Sequence, residues 1–300
     1  MWCHGATKSG AERYFCPVCE KTSIIHRPDT RQRHNQNRLV AWLTGVENKN
    51  AVAKHYGVTS RTLSKEFKQF FLENPNGPTP LNFQAKLLIV DAKFIHGNKL
   101  CALIAVTEED KIFWQFANAE NYKTWSAYLG QFSPPEVVVA DGHKGVAYFV
   151  RRYWPKTAFQ RCHFHMVSLV IHYLSRNPNT EAGQQILELM YRLKQVKIYE
   201  DRDKWKLLHR IWEKQYEKVL AEKNESGGYV HRKLRSVGFI VRKAIPNLFT
   251  FLDYPGCPNT TNLIEGWVNT AIAERLRRHR GLRLSQKKTL VSIILSNLKR

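Results

Sequence analysis

The sequence has no long apolar run. None of its 300 residues fall in a stretch approaching the roughly 18–20 consecutive apolar residues of a membrane-spanning helix, and no signal-peptide pattern opens the chain. The six cysteines are few and scattered, which argues against a secreted disulfide scaffold and favours a reducing compartment. No glycine-rich phosphate loop follows any expected strand, which argues against a nucleotide-dependent enzyme. We therefore expect a cytoplasmic protein with no membrane partner.

Acidic residues are scarce. The chain has 25 Asp and Glu against 47 Lys and Arg, which gives a formal net charge of +22 and a pI near 9.9. So large an excess favours a polyanionic partner, because each phosphate that is neutralised releases counterions. With 43% hydrophobic residues, the chain can also bury a sizeable core, as one large domain with small appendages or as two domains. Nucleic acid is the expected partner.

Three acidic residues lie where a chain that cuts nucleic acid would place metal ligands. Asp91 closes the apolar run 87–90, and Asp141 closes the run 137–140. Each aspartate is therefore expected at the end of a buried strand. Glu265 lies at the expected start of a helix. Such an oxygen-only cluster suits Mg²⁺, although spacing alone also allows two solvated aspartates and an ordinary helical glutamate.

Residues 1–30 contain part of the pattern of a zinc ribbon. A Cys-x-x-Cys knuckle, Cys16 with Cys19, follows an aromatic residue, but the second pair that a ribbon needs is missing. We expect the first knuckle to lie upstream of Met1. The alternative is an irregular zinc site in which Cys3 or His4 joins Cys16 and Cys19. A redox role is disfavoured, because no thioredoxin-like strand and helix surround the pair.

Residues 31–75 are expected to form a helix-turn-helix module. A short helix from Ala51, Gly57 at the turn and a Ser/Thr-capped second helix match the spacing of that motif. The second helix would place four polar side chains toward a DNA groove, namely Ser60, Arg61, Ser64 and Lys65. A plain helical hairpin packed on the rest of the protein is the alternative.

Residues 82–300 have the pattern of a mixed sheet with helices on its faces. β-like stretches are expected at 87–91, 99–106, 111–116, 137–140 and 157–161, with helices at 122–132 and 144–153. From residue 166 to 250 the chain reads as almost entirely helical. The aromatic residues Trp205, Trp212 and Tyr216 in that segment recur at helical intervals and are expected in its core.

A dense basic strip follows Glu265. Its members are Arg275, Arg277, Arg278, His279, Arg280, Arg283, Lys287 and Lys288. We expect a phosphate-contact surface there, with a solvated helix face as the alternative. His143 and Lys144 adjoin Asp141 and are candidates for contact with the scissile phosphate, although both also fit an ordinary surface. Glu120 fits a helix-start residue better than a fourth metal ligand.

Four local signatures resemble those of the Mutator-type transposases of bacterial insertion sequences, relatives of the plant Mutator-like elements. They are LIVDAK at 88–93, VVADGHKG at 138–145, the Cys-x-x-His segment CHFH at 162–165, and TTNLIEG at 260–266 with the trailing Asn269 and basic helix. Their order and separation over about 87–283 carry the resemblance. The ribbon and the helix-turn-helix upstream also fit the layout of the family.

The resemblance implies an α/β fold, with a ribonuclease-H-like core interrupted by an α-helical insertion at about 166–255. Asp91, Asp141 and Glu265 would be its DDE triad and would hold two Mg²⁺ or Mn²⁺ ions. Cys162 and His165 would have a structural or DNA-positioning role, with a zinc half-site as the alternative. Asn262 and Thr261 would cap the helix that carries Glu265.

The activity that the resemblance implies is cleavage and strand transfer at the terminal repeats of the element. Its partners would be double-stranded end and target DNA, bound by a homo-oligomer in the bacterial cytoplasm and nucleoid. Two other functions stay open. A catalytically silent, transposase-derived DNA-binding protein would fit the incomplete ribbon, but the three intact acids argue against it. A nuclease or resolvase for branched DNA uses the same fold and metals, but the helix-turn-helix favours sequence-specific end binding.

Overall fold

A computed structural model describes residues 1–7, 12–24, 28–45, 47–70, 77–78, 80–81, 83–97 and 99–298. The chain divides into two compact units, Met1–Asn74 and Pro75–Arg300. Within the described ranges, no helix combines the length and the apolar character needed to cross a membrane.

The first unit opens with a three-stranded antiparallel sheet. Its strands are β1 (Trp2–Ala6), β2 (Glu12–Phe15) and β3 (Thr22–Ile24). The expected knuckle lies in the turn between β2 and β3, where hydrogen bonds from the backbone and thiol of Cys19 lower the pKa of the Cys16 thiol. Cys3 lies on β1, opposite Tyr14. No third Cys, His, Asp or Glu among the described residues is arranged with this pair as a metal ligand, so zinc binding stays a prediction.

Three helices follow in the first unit: α1 (Pro28–Thr44), α2 (Lys49–His55) and α3 (Ser60–Phe70). Asn48 caps α2, because its side-chain oxygen accepts a hydrogen bond of 3.0 Å from the Ala51 amide. Gly57 has a φ of 60° in the turn before α3, a conformation that favours glycine. Arg61 and Lys65 are exposed on α3. The two expected helices are therefore present, and their contact with DNA stays a prediction.

The second unit is built on a five-stranded mixed sheet in the order β6-β5-β4-β7-β8. Its strands are β4 (Leu87–His96), β5 (Leu100–Thr107), β6 (Ile112–Ala117), β7 (Val137–Ala140) and β8 (Ala158–Arg161). The first three pair antiparallel, whereas β7 and β8 pair parallel to β4 and to each other. The presence of all five predicted strands and the mixed α/β class are confirmed, and four of the strands have the predicted bounds to within one residue.

The expectation that Asp91 ends its strand is wrong. β4 continues to His96, because residues beyond Asp91 still pair with β5. What stops near Asp91 is the parallel pairing with β7, whose last paired residues are Ile89 and Val139. Asp91 and Asp141 each lie two residues beyond this last pair. The charge of Asp141 acts on Asp91, so the two aspartates lie near each other where the partner strand ends.

One face of this sheet is covered by α4 (Tyr122–Leu129) and α5 (Lys144–Tyr153). Side chains that alternate along the strands, among them Leu88 and Val90, pack there against Trp125, Tyr128 and Phe149. α4 ends at Leu129, three residues earlier than the sequence suggested, because Gly130 serves as its C-cap.

Between β8 and the last helices lies the expected helical segment. It contains α6 (His163–Leu174), α7 (Glu181–Tyr191), α8 (Tyr199–Gln215), α9 (Glu217–Ala221) and α10 (Arg232–Ala244). Trp205 and Trp212 are buried in its core, as predicted, and their indole N–H groups donate to the carbonyls of Leu189 and Ala182 at 2.8 and 2.9 Å. This segment therefore has a hydrophobic core of its own.

A π-helix (Leu263–Asn269), α11 (Thr270–Arg278) and α12 (Leu284–Asn297) complete the second unit. They pack on the sheet opposite α4 and α5, where the Trp114 indole donates a 3.3 Å hydrogen bond to Ser292. Glu265 lies on the π-helix, where the sequence suggested the opening of an α-helix. The wider turn of a π-helix is frequently found at functional sites.

Candidate active site

Asp91 is the most deeply placed carboxylate of the candidate site, with 9% of its surface exposed. Its Oδ2 accepts a 2.9 Å hydrogen bond from the side-chain amide of Asn269. Burial raises the pKa of Asp91 to about 7; the charges of Asp141 and Glu265 also raise it, while His165 and Asn269 oppose the shift. A second carboxylate and a third therefore act electrostatically on Asp91.

Asp141 directly follows β7, as predicted. Its Oδ1 accepts a 2.7 Å hydrogen bond from the amide of His143, whose ring in turn accepts from the Gly145 amide and caps α5. Gly142 has a φ of 87°, and a Cβ there would lie 2.6 Å from the Arg161 guanidinium. Arg161 is close enough to Asp141 to interact with it electrostatically, and its Nε is buried without a hydrogen-bond partner. The close approach of Arg161 to the turn therefore leaves no room for a side chain at residue 142.

Glu265 contacts His165 across the site, with 3.1 Å between Glu265 Oε1 and His165 Nε2. The fully buried Thr261 hydroxyl lies 3.4 Å from Glu265 Oε1 and 3.4 Å from His165 Nδ1, so it joins the two side chains. The expected cap by Asn262 is wrong, because Asn262 is exposed and its side chain makes no capping hydrogen bond. Instead, the Thr261 carbonyl accepts from the Glu265 amide at 3.1 Å.

The Cys-x-x-His segment contacts the same group of residues, Thr261 and Glu265. Cys162 is fully buried before α6, and its sulfur accepts a 3.2 Å hydrogen bond from the Thr261 amide. Burial disfavours the charged form of His165, but its hydrogen bond to Cys162 and its interactions with Cys162, Glu265 and Asp91 raise the pKa of His165 to about 9. His165 is therefore an imidazolium at neutral pH that pairs with Glu265.

Two further residues belong to this site and were assigned no role in it from sequence. Asn269 appeared only as a residue that trails the fourth signature, yet it holds Asp91. Glu120 lies just before α4, and its carboxylate accepts a 3.1 Å hydrogen bond from the Trp125 indole. Burial raises the pKa of Glu120; among nearby charges, His143 opposes the shift and Asp141 adds to it. Glu120 is half-buried, and the signal available in the sequence was an acid directly before Asn121, the N-cap of α4.

An open cleft of about 500 Å³ begins at Glu265 and Asn269. Its remaining lining residues are Lys93, Thr270, Ala273, Glu274 and Arg277. Of the predicted basic strip, Arg277 alone lines this cleft among the residues described. Arg275 and Arg278 lie on α11, where Arg278 pairs with Glu274 at 2.6 Å, and the Arg280 Nε donates to the Arg277 carbonyl. Lys144 is exposed at the start of α5.

The donor chemistry at this site suits a divalent cation. Carboxylates come from β4, from the end of β7 and from the π-helix, and the Asn269 Oδ1 is buried without a hydrogen-bond partner. Among the residues with described positions, however, no three His, Cys, Asp or Glu side chains are arranged as a metal site. Glu265 is paired with His165 instead. Metal binding through Glu265 would therefore require its carboxylate to turn away from that imidazolium.

Comparison with known proteins identifies the family of this chain. The family model described as "Transposase, Mutator family" matches residues 100–287, well over half of the chain. The matched segment includes Asp141, Cys162, His165 and Glu265, and it begins after Asp91. A comparison with individual curated proteins gives no match. On the length of the family match, this chain belongs to the Mutator family of transposases.

Proposed function

We propose that this protein is the DDE transposase of a bacterial insertion sequence, which binds the ends of its element and catalyses metal-dependent DNA strand cleavage and strand transfer. The observation that carries the proposal is that two carboxylates from distant parts of the chain, Asp141 and Glu265, act electrostatically on the buried Asp91. Asp91 and Asp141 each lie two residues beyond the last pair of two adjacent parallel strands, and the π-helix brings Glu265 within electrostatic range of Asp91. A ribonuclease-H-like core with a helical insertion is part of the same proposal.

In this proposal, each acid has a separate role. Mg²⁺ or Mn²⁺ ions, when bound as a pair, would activate the nucleophile and neutralise charge on the non-bridging phosphate oxygens. Asp91 would be a ligand of both ions, because it is the most deeply buried of the three acids. Asp141 and Glu265 would each be a ligand of one ion. Asn269 would hold the Asp91 carboxylate in position through its hydrogen bond to Oδ2.

The remaining basic residues would hold the DNA. Arg61 and Lys65 on α3 are proposed to contact the ends of the element, and Arg277 and Lys93 the phosphates that enter the cleft. Phosphate contacts are also proposed for His143, Lys144, Arg275, Arg278 and Arg280. Zinc is proposed to bind Cys16 and Cys19, with Cys3 as a third ligand. Because two ends must be joined, a homo-oligomer is the proposed active form.

Cleavage of a labelled duplex that carries the DNA flanking this gene tests the proposal. The wild-type protein should cut at fixed end positions with Mg²⁺ or Mn²⁺, and Asp141→Asn and Asp91→Asn should lose most of that activity, because each keeps the shape of the site but removes a charge. Asp203→Asn, at an exposed aspartate of α8, is the matched control and should cut normally. Near-normal cleavage by Asp91→Asn would contradict the assigned role.

The pairing of Glu265 with His165 favours one second candidate, a silent DNA-binding relative. Such a protein would keep the imidazolium on Glu265 at all metal concentrations. It would bind end DNA without cutting it under any metal condition. His165→Gln distinguishes the two functions. If the protein is a transposase in which His165 competes with the metal for Glu265, the variant should still cut DNA and should need less metal to do so. If the protein is a silent DNA-binding relative, the variant should not cut.

A further inference from the structure

The outer faces of α4 and α5 carry three tyrosines that the assigned site does not use. Tyr122, Tyr148 and Tyr153 are 39, 46 and 55% exposed. The Tyr122 and Tyr148 rings meet edge to face with centroids 5.0 Å apart, and the Tyr122 hydroxyl donates to the Tyr153 hydroxyl at 3.3 Å. These contacts hold the rings in place while leaving much of their surface open. We call these three residues the tyrosine face.

The two helices that carry the tyrosine face bear cations and no acids. Neither α4 nor α5 contains an Asp or a Glu. The exposed basic residues on the two helices are Lys123, Lys144, Arg151 and Arg152. The Arg151 guanidinium lies 5.6 Å from the Tyr148 ring centroid, and Arg152 is close enough to interact electrostatically with the hydroxyls of Tyr122 and Tyr153. Open aromatic rings flanked by cations fit a polyanion that also presents flat aromatic surfaces.

This surface starts at the catalytic edge of the sheet. α5 begins at Lys144, close after Asp141, and α4 begins at Tyr122, close after Glu120. The two helix starts touch at Gly145, where a Cβ would lie 2.9 Å from the Tyr122 Cα. Along α5, Lys144, Tyr148 and Arg152 recur at every fourth position. They therefore form a stripe about 12 Å long that leads away from Asp141.

We propose that the tyrosine face binds unpaired nucleotides of the DNA beside the scissile phosphate. Their bases stack on Tyr148 and Tyr153, and Lys144, Arg151 and Arg152 hold their phosphates. The place of this step in the reaction rests on the proposed function, but the binding itself does not. Within α4 and α5, all the exposed large apolar side chains are tyrosines. The stripe that carries Tyr148 begins close after Asp141, which favours the DNA held at that site as its partner.

Unpaired strands fit this surface better than duplex DNA does. In a duplex, the bases present only their edges and the backbone phosphates are what a basic surface reaches. Exposed aromatic rings would then add nothing to affinity. In a single strand every base has a free face, and stacking on an aromatic side chain contributes roughly five- to hundredfold in affinity per base.

The test is fluorescence anisotropy with a labelled single strand and the matching duplex, using the whole protein. The double variant Tyr148→Ala/Tyr153→Ala should bind the single strand at least about fivefold more weakly, and the duplex with nearly unchanged affinity. Tyr148→Phe/Tyr153→Phe keeps both rings and should bind as the wild type does. Tyr191→Ala, at a 41% exposed tyrosine of α7, is the control for loss of an exposed ring.

Three outcomes would overturn the inference. An equal loss on single strand and duplex would make this a phosphate surface for double-stranded DNA. An unchanged affinity of the Ala double variant for both single strand and duplex would indicate that the tyrosine face binds a protein partner. A loss of affinity in the Phe double variant would show that the hydroxyls, and not the rings, bind the DNA. Asp141→Asn should bind the single strand normally. If the wild type then fails to cleave, the proposed function is wrong while the binding result stands.

Discussion

The side-chain amide of Asn269 lies 2.9 Å from Asp91 Oδ2, although the two residues are 178 positions apart in the chain. This hydrogen bond joins the π-helix to the central strand of the sheet. It favours the charged form of Asp91, which burial disfavours. The bond therefore supports both the position and the ionisation of the deepest carboxylate.

Removing this hydrogen bond should impair cleavage. Hydrogen bonds to charged groups contribute about 1.5–3 kcal/mol, so Asn269→Ala should cut end DNA roughly ten- to hundredfold more slowly. The rate should be measured as a function of metal concentration, where a higher requirement is also expected. Asn179→Ala, at an exposed loop position between α6 and α7, serves as the control. A wild-type rate in Asn269→Ala would mean that Asp91 needs no such support.

A second prediction concerns the segment before the π-helix. Thr261→Val keeps the shape of a fully buried side chain but removes the hydroxyl between Glu265 and His165. We expect it to lower the free energy of unfolding by about 1–3 kcal/mol, because buried polar groups lose a partner. Asn262→Ala should change it by less than about 0.5 kcal/mol, since the exposed side chain caps nothing. Denaturant unfolding curves give both values. A larger loss of unfolding free energy in Asn262→Ala would show that Asn262 caps the π-helix after all.

The sequence predicted the sheet better than it predicted the site. Apolar runs bounded by turns located all five strands, because a buried strand must be apolar whichever strand it pairs with. The end of β4 was misjudged, because the run of apolar residues stops at Asp91 while pairing with β5 continues. The length of β4 depends on its pairing with β5, and such pairing is a tertiary contact that the local sequence does not specify.

The sequence predicted three acids as site residues, and that assignment stays a prediction, but it gave no indication of the contacts around them. Asn269 bonds to Asp91 through a π-helix, whose wider turn leaves no mark in residue spacing. The pairing of His165 with Glu265 joins two signatures that are separated by the whole helical segment. Local patterns report what a residue can do, whereas these contacts depend on how distant elements pack.

A third prediction is that stability falls in acid because of His163. The His163 Nε2 lies 2.6 Å from the Leu248 carbonyl and donates to it, while Nδ1 is buried without a partner. Burial lowers the pKa of His163 to about 4, below its ordinary value of 6.5. As the pH falls, the unfolded chain therefore takes up the proton before the folded chain does. The contribution of the neutral His163 to the free energy of unfolding is complete above about pH 6.5 and is lost as the pH falls toward 4.

The expected loss from His163 is about 3 kcal/mol between those pH values. His163→Gln keeps a donor for Leu248 but does not titrate, so its unfolding free energy should depend less on pH by about that amount. His172→Gln, at an exposed histidine of α6, should show the wild-type dependence. Parallel profiles for the wild type and His163→Gln would show that another group causes the acid sensitivity.

A fourth prediction assigns Arg277 to phosphate binding in the cleft. For Arg277→Gln, the plot of log affinity against log salt concentration should have a slope smaller by about 1, because one phosphate contact is lost. Affinity should fall for end DNA and unrelated DNA alike. Arg192→Gln removes an arginine that pairs with Glu188 on the helical segment and should leave the slope unchanged. Equal slopes for the wild type and Arg277→Gln would place the phosphates elsewhere.

The last prediction concerns Gly145, where α4 and α5 meet beside Asp141. A Cβ there would lie 2.9 Å from the Tyr122 Cα and 3.0 Å from its amide nitrogen, and backbone atoms cannot move aside as a flexible side chain can. Gly145→Ala should therefore push the two helix starts apart, lower the free energy of unfolding by about 1–3 kcal/mol and reduce cleavage as His143 and Asp141 shift with α5. Gly266→Ala meets no atom within 4 Å on the π-helix and should leave stability equal or higher. If Gly145→Ala were as stable and active as the wild type, close contact of α4 and α5 would not be what holds Asp141 in place.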